Sequence, residues 1–385
     1  MPPARCFPAF QRHGPSLGVD TARVTVFGQS SGGTAVLTLL ASPLSRGLFS
    51  GAMSLSGSPN VTMSAATQRR QHAPIGAAMA AAAGGGGGGG GCATKPAGSA
   101  AFVDCLRALP LSTVLSVVPR GPAFGNGTAA VPSWAMDNIF SLPAHADGLR
   151  MPGLAAVDGV LLRAPGGLVA AFGAGEGANV SLVVSSMAQE CGAAPGQRMP
   201  PGSVSAFGAA IDAHFDAFLG PPSARVGERA TALYAAELGG GGAPVTTQRA
   251  YDTMAADIEM SCGNKALALA AAGGRPAFKG APPVYSVYNG VGAAPAWAFH
   301  GSDLAMATAG RGAAARGLRA AWLEFANTGA VAAWMPVDTP AGPASNVLGE
   351  DSGGLTSTVS VDNRRQQCAY WQGELGFGEA FWWSN

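Results

Sequence analysis

Short apolar runs alternate along this chain with longer stretches of helical periodicity. Val24-Thr25-Val26-Phe27 is apolar and β-branched and predicts a strand. Residues 34–40 are apolar with good helix formers until Ser42-Pro43 stops them. Ala52-Met53-Ser54-Leu55-Ser56 alternates and closes on Gly57-Ser58-Pro59, which predicts the next strand. Residues 100–108 have the spacing of an amphipathic helix, with Phe102, Val103, Cys105 and Leu106 inward. Ser181-Leu182-Val183-Val184-Ser185-Ser186 reads as a buried strand, and Val284-Tyr285-Ser286-Val287-Tyr288 as another, closed by Asn289-Gly290. Helices are expected over 204–219, 230–238 and 318–327, the last ending at Gly329. Strands separated by helices predict an α/β fold with a mostly parallel sheet. No internal repeat is visible.

One stretch breaks the pattern. Residues 76–93 carry no charge, but an alanine run there gives way to unbroken glycine from Gly84 to Gly91. Glycine at that density cannot sustain a helix, so a flexible low-complexity surface insertion is expected at about 76–92, and no transmembrane segment. The remainder of residues 1–385 is expected to form a single domain, long enough to bury a sizeable core. Charged residues make up 12% and the net charge is +1, with no basic stripe, which argues against a nucleic-acid partner. The opening Met-Pro-Pro-Ala-Arg-Cys-Phe-Pro has no apolar core of signal-peptide length. Six cysteines, and glycosylation sequons at Asn60, Asn126 and Asn179, point the other way, towards a secreted protein.

The first strand leads directly into Gly28-Gln29-Ser30-Ser31-Gly32, and a helical pattern follows at once. Strand, sharp turn and helix around Gly-x-Ser-x-Gly form a nucleophile elbow, with Gly28 and Gly32 small because the turn is crowded. With 57 glycines in 385 residues, about 0.6 such patterns arise by chance, so partners must carry the argument. A serine hydroxyl needs a base, usually a histidine oriented by a carboxylate, in the hydrolase chain order Ser, acid, His. Of the five histidines, His13 precedes the serine, His72 sits in a polar segment, His145 in a loop and His214 in a helical pattern. His300 remains, in a loop shortly after the 284–288 strand. Glu190 lies just beyond the 181–186 strand. Ser30, Glu190 and His300 thus each follow the carboxyl end of a different expected strand, the edge where open α/β sheets place active sites.

These residues resemble the type-B carboxylesterase family of carboxylesterases, cholinesterases and related lipases. The likeness runs through Asp20 to Gly33 almost residue by residue, then through Ser42-Pro43-Leu44-Ser45-Arg46-Gly47-Leu48-Phe49 and Ser56-Gly57-Ser58. Val157-Asp158-Gly159 is similar to the segment ahead of the family's acid-bearing strand. Trp322-x-x-Phe325-Ala326-Asn327-Thr328-Gly329 is similar to the helix after its histidine. The resemblance implies an α/β-hydrolase fold and ester hydrolysis by Ser30, Glu190 and His300, with no metal or organic cofactor, on a small-molecule or lipid ester. It also implies disulfides Cys92–Cys105 and Cys262–Cys368, while Cys6 and Cys191 have no counterpart and are expected to be free.

The chain departs from the family in three ways. Cys191 follows Glu190 where glycine is usual. About twenty residues precede Val24, where the family has four earlier strands and a Gly-Gly-Gly-type loop of oxyanion-hole amides. The expectation is therefore the C-terminal part of the fold only, from the elbow strand onward, with Ser31 N–H as the surviving oxyanion donor and activity of this chain in doubt. Its first strand becomes an exposed apolar edge. The complete protein is expected to be secreted. The alternatives are a non-catalytic cholinesterase-like binding or adhesion module, or a degenerate fragment. Trp134, Phe140 and Phe299 are candidate pocket walls, against the commoner role of a large aromatic in a core.

Overall fold

Leu182, Val183 and Val184 are consecutive and all buried. Successive side chains of a strand point to opposite faces, so such a run needs cover on both sides. The computed structural model describes residues 9–59, 61, 64–83, 91–117, 155–163, 166–190, 203–219, 225–239, 247–275, 281–292, 297–337, 343–361 and 363–375. In chain order, β1 (Thr25–Gln29) leads into α1 (Ser31–Ala41) and β2 (Gly51–Leu55), followed by α2 (Ala65–Ala83), α3 (Ala100–Arg107) and α4 (Leu111–Val117). Then come α5 (Gly167–Gly173), β3 (Ser181–Met187), α6 (Val204–Leu219), α7 (Val226–Leu233) and α8 (Thr247–Ala256). A π-helical turn at Asp257–Ser261 joins α8 to α9 (Cys262–Gly273), and β4 (Val284–Asn289), α10 (Ser302–Ala309), α11 (Ala313–Thr328), β5 (Ser345–Asp351) and β6 (Gly354–Ser360) follow.

Among the described residues six strands form one sheet in sequential order, parallel from β1 to β5, with β6 antiparallel to β5. Its register sets Val26 beside Ala52 and Leu182, and Phe27 beside Met53 and Val183. Ala52, Leu182 and Val184 pack with Leu37 and Leu40 of α1, Leu168 and Phe172 of α5, and Leu267 and Ala271 of α9. Met53, Leu55, Val183, Tyr285 and Val287 pack on the opposite face with Leu318, Ala321 and Phe325 of α11. A separate helical cluster joins Phe207 and Ile211 to Tyr234, Tyr251, Met254 and Trp371. At the outer end of the sheet β1 pairs with β2, and Phe27 is 60% exposed. Among the described residues β1 has β2 as its strand neighbour, and an exposed apolar side chain on an outer strand favours pairing with further strands.

The alanine part of the expected insertion is corrected. Residues 76–83 are not a flexible segment but the second half of α2, which begins at Ala65. Alanine is the best helix former, so the run propagates a helix already nucleated upstream. Gly76 comes within ordinary contact of Phe102 on α3, and Gly84–Gly90 lie outside the described residues. The helix expected over 230–238 is α7, which starts earlier at Val226 and gives way to turns after Leu233. A side chain at Gly227 would run into the Gly208 carbonyl of α6. Close approach of the two backbones therefore sets where α7 lies. Likewise α11 begins at Ala313, because its alanine-rich first turn carries no amphipathic signal. The β5–β6 hairpin was not anticipated, although Asp351 to Gly354 supplies its turn, with Asp351 Oδ1 accepting from the Gly353 and Gly354 N–H groups.

Candidate active site

Ser30 stands between β1 and α1 with φ 61° and ψ −124°, a conformation L-residues rarely adopt. Such a backbone costs about 1–3 kcal/mol and persists only where the surroundings over-determine it. Here the Ser30 N–H donates to the Leu55 carbonyl at 2.8 Å, and the Ser30 carbonyl accepts from Thr34 N–H at 3.0 Å. The turn is therefore tied to the end of β2 on one side and to the first turn of α1 on the other.

The two elbow glycines differ in their surroundings. A Cβ on Gly28 would collide with the backbone carbonyl of Gly32, whereas a Cβ on Gly32 would meet nothing within 4 Å. The expectation that crowding also requires a small residue at Gly32 is corrected: its backbone crowds Gly28, while its own side-chain position is open. The second tight position is Gly33, where a Cβ would lie 2.8 Å from Gly57 backbone atoms. Gly28→Ala should accordingly destabilise the fold by about 1–3 kcal/mol, while Gly32→Ala, inside α1, should stabilise it by about 0.4–1 kcal/mol. Urea unfolding of the two variants side by side checks both signs.

The acid and the histidine are brought together by backbone. Gln189 and Phe299 form an isolated parallel bridge, with Gln189 N–H donating to the Ala298 carbonyl at 3.0 Å. One residue further along each segment, His300 N–H donates to the Glu190 carbonyl at 3.2 Å. The side chains then meet, His300 Nδ1 lying 2.6 Å from Glu190 Oε2. The other carboxylate oxygen, Oε1, accepts from Met187 N–H at 2.7 Å. Glu190 is 1% exposed, so both oxygens are held in a dry setting where a charge-assisted bond is strong. With Nδ1–H donating to this carboxylate, the neutral imidazole has its acceptor lone pair on Nε2. Burial pulls the imidazole pKa down, but the charge and hydrogen bond of Glu190, with a smaller pull from Asp303, leave it raised above 6.5.

His300 Nε2 is buried and has no hydrogen-bond partner among the described residues, so it is not bonded to the Ser30 hydroxyl here. The elbow nevertheless reaches this loop. Gly301, with φ 80°, lies against the side chain of Gln29, the residue before Ser30: a Cβ there would be 3.2 Å from Gln29 Nε2. Catalytic serine–histidine contacts are often loose without substrate. Ser31 is the first residue of α1, where a backbone N–H has no intrahelical acceptor and is free to face an oxyanion.

Two contributors were not singled out from sequence. The Gln189 side chain donates to Thr253 Oγ1 at 2.9 Å and accepts from Ala298 N–H at 3.2 Å, fixing the segment that carries Glu190. Asp303, in the first turn of α10, is 2% exposed, and its charge adds the smallest of the upward pulls on His300. The only hint at Asp303 was an acid three residues after the histidine. Disulfides Cys92–Cys105 and Cys262–Cys368 are formed. Asn179 is exposed just ahead of β3, and Phe299 is half-buried beside the site. Asn60, Asn126, Cys6, Cys191, Trp134, Phe140 and His145 lie outside the described residues. Among the described residues no helix is long and apolar enough to cross a membrane.

Residues 10–163 fit the model of the carboxylesterase family, consistent with a type-B carboxylesterase family member. The matched region includes the elbow and stops short of Glu190 and His300. No curated protein matches the chain. Six strands in a mixed, mainly parallel sheet with flanking helices agree with the α/β-hydrolase fold that this family match implies.

Proposed function

With that family match as the premise, we propose that the protein is a serine carboxylic-ester hydrolase that works through an acyl-enzyme. Residues 1–385 belong to one domain of this kind. Ser30 is the nucleophile, His300 the base and Glu190 the residue that orients His300. As the Ser30 hydroxyl attacks the ester carbonyl, its proton passes to His300 Nε2, and Glu190 stabilises the imidazolium that forms. The carbonyl oxygen, now negative, takes a hydrogen bond from Ser31 N–H, and one such donor is worth about 10²–10³ in rate. His300 then protonates the departing alcohol, and a water deprotonated by the same nitrogen cleaves the acyl-enzyme.

The observation that carries this reading is the 2.6 Å contact from His300 Nδ1 to a buried Glu190 whose two oxygens are both hydrogen-bonded, with Nε2 unpartnered among the described residues. A solvated surface pair would not hold an imidazole in one tautomer with its acceptor lone pair unused. The strained backbone at Ser30, whose neighbour Gln29 packs on the same loop, supports it further. The substrate is a small-molecule or lipid ester. Two disulfides and an exposed sequon at Asn179 support a secreted protein.

A fluorophosphonate probe tests the assignment, since it reacts only with a serine activated by a base. Mass spectrometry of the labelled protein should place the adduct on the peptide containing Ser30. A folded, full-length protein that takes up no label would sink the proposal.

A further inference from the structure

Both backbone hydrogen-bonding groups of Ala298 end on one residue, Gln189. The Gln189 N–H donates to the Ala298 carbonyl at 3.0 Å, and the Ala298 N–H donates to Gln189 Oε1 at 3.2 Å. A backbone N–H can only donate, so the amide oxygen faces Ala298 and the amide nitrogen is turned the other way. That nitrogen donates to Thr253 Oγ1 at 2.9 Å. Gln189 thus ties together three segments: the turn after β3, the loop before α10, and α8. Ala298, Thr253 and Gln189 are 0%, 1% and 4% exposed. At that burial a hydrogen bond left unmade is costly, because bulk water cannot readily replace the missing partner. Every residue of α8 from Ala250 to Ala256 is buried, so the helix that carries Thr253 is a firm anchor.

We propose that Gln189 and Thr253 are positioning residues for the Glu190–His300 pair, clamping its two supporting segments to each other and to α8. The proposal rests on the assignment of Glu190 and His300 as a working pair. Glu190 follows Gln189 directly, and His300 lies two residues after Ala298, so each end of the clamp sits beside one member of the pair. Beyond the clamp the segments are joined by His300 N–H on the Glu190 carbonyl at 3.2 Å and by the 2.6 Å side-chain contact. A hydrogen bond that short tolerates little shift of one segment against the other. Thr253 acts through Gln189, and Gln189 acts through the backbone of Ala298. Without the clamp the turn and the loop can slide, and a misplacement of about 1 Å at a reacting group costs about 10²-fold in rate.

The rate at which a fluorophosphonate labels Ser30 in the full chain reads this alignment. Thr253→Val keeps the shape of the side chain and removes its hydroxyl, whereas Thr253→Ser keeps the hydroxyl and removes a methyl group. Gln189→Met removes both side-chain hydrogen bonds at similar length. Per folded molecule, Thr253→Val and Gln189→Met should each slow labelling by about 10–100-fold, and Thr253→Ser should label close to the wild-type rate. The acid limb of the labelling rate should also move to lower pH in the two slow variants. Burial holds the His300 pKa down, while Glu190 first and Asp303 after it raise it, and a loosened pair gives up part of the larger upward pull. A purely structural role would lower the melting temperature and leave the labelling rate per folded molecule and the acid limb as in the wild type. That result in Thr253→Val overturns the proposal. Should one of the two slow variants not fold, the other decides. A wild type that takes up no label defeats the hydrolase assignment and this proposal with it, whereas an unchanged rate in the folded variants defeats the clamp only.

Discussion

His300→Ala should lower kcat/KM on an activated aryl ester by about 10⁶, close to the loss from removing the nucleophile itself, because the serine and its base act as a unit. Glu190→Gln should cost less, about 10⁴, since the amide leaves the geometry in place but favours the wrong tautomer and cannot stabilise the imidazolium. Steady-state kinetics of the active protein over a range of pH checks both values. The pH profile carries a sign. In the proposed mechanism His300 is a base only when neutral, and its pKa is raised above 6.5 by Glu190, so the acid limb should reach its midpoint above pH 6.5. In Glu190→Gln the upward pull is gone, and the limb of the residual activity should shift to lower pH. The same raised pKa bears on folding in the opposite sense. Its contribution to stability is fully present below about pH 6.5 and is lost as pH rises through the folded-state value. Activity thus appears where this part of the stability is being given up.

Replacing both Cys262 and Cys368 by serine should destabilise the protein by about 4–5 kcal/mol, measured as the change in unfolding free energy in guanidinium chloride. The bond closes a loop of sequence separation 106, and opening it restores a large conformational freedom to the unfolded chain. The native state should change little, because the segment is also held by non-covalent contacts. Arg364 donates to Asp257 at 2.8 Å through Nε and to Glu237 at 2.9 Å through Nη1, and the Trp371 indole N–H donates to the Tyr234 hydroxyl at 2.8 Å. The Tyr234 hydroxyl in turn donates to Asp257 at 2.8 Å, so one buried carboxylate gathers both strands of the anchor. The corresponding pair of substitutions at Cys92 and Cys105, which close a separation of 13, should cost about 3 kcal/mol in the same model. A larger loss from the shorter loop would mean that strain or lost packing, not loop entropy, controls these bonds.

Much of the frame was legible because it is written in local patterns. A β-branched run before Gly-x-Ser-x-Gly predicts a strand and a turn whatever the rest of the chain does, and β1, Ser30 and α1 lie where that pattern puts them. The 181–186 and 284–288 runs were legible for the same reason, since strands buried on both faces are apolar throughout. Helix limits were less so. The start of α7 depends on how closely Gly227 approaches Gly208 in another helix, and the alanine run of α2 depends on a nucleus eleven residues upstream. The β5–β6 hairpin is half-exposed and rich in Ser and Thr, so it offered no apolar run to read.

The amino-acid sequence by itself determined which residues could do chemistry here: a serine at a strained turn, an acid and a histidine, each placed past its own strand. Only the tertiary structure decided that Glu190 and His300, 110 residues apart, share a hydrogen bond, and that Asp303 is buried. It also decided that Gly28 rather than Gly32 is the glycine the elbow cannot replace. The physical reason is common to all three. Propensity and periodicity act over a few residues, whereas burial, charge coupling and steric conflict depend on which distant backbone the sheet brings alongside.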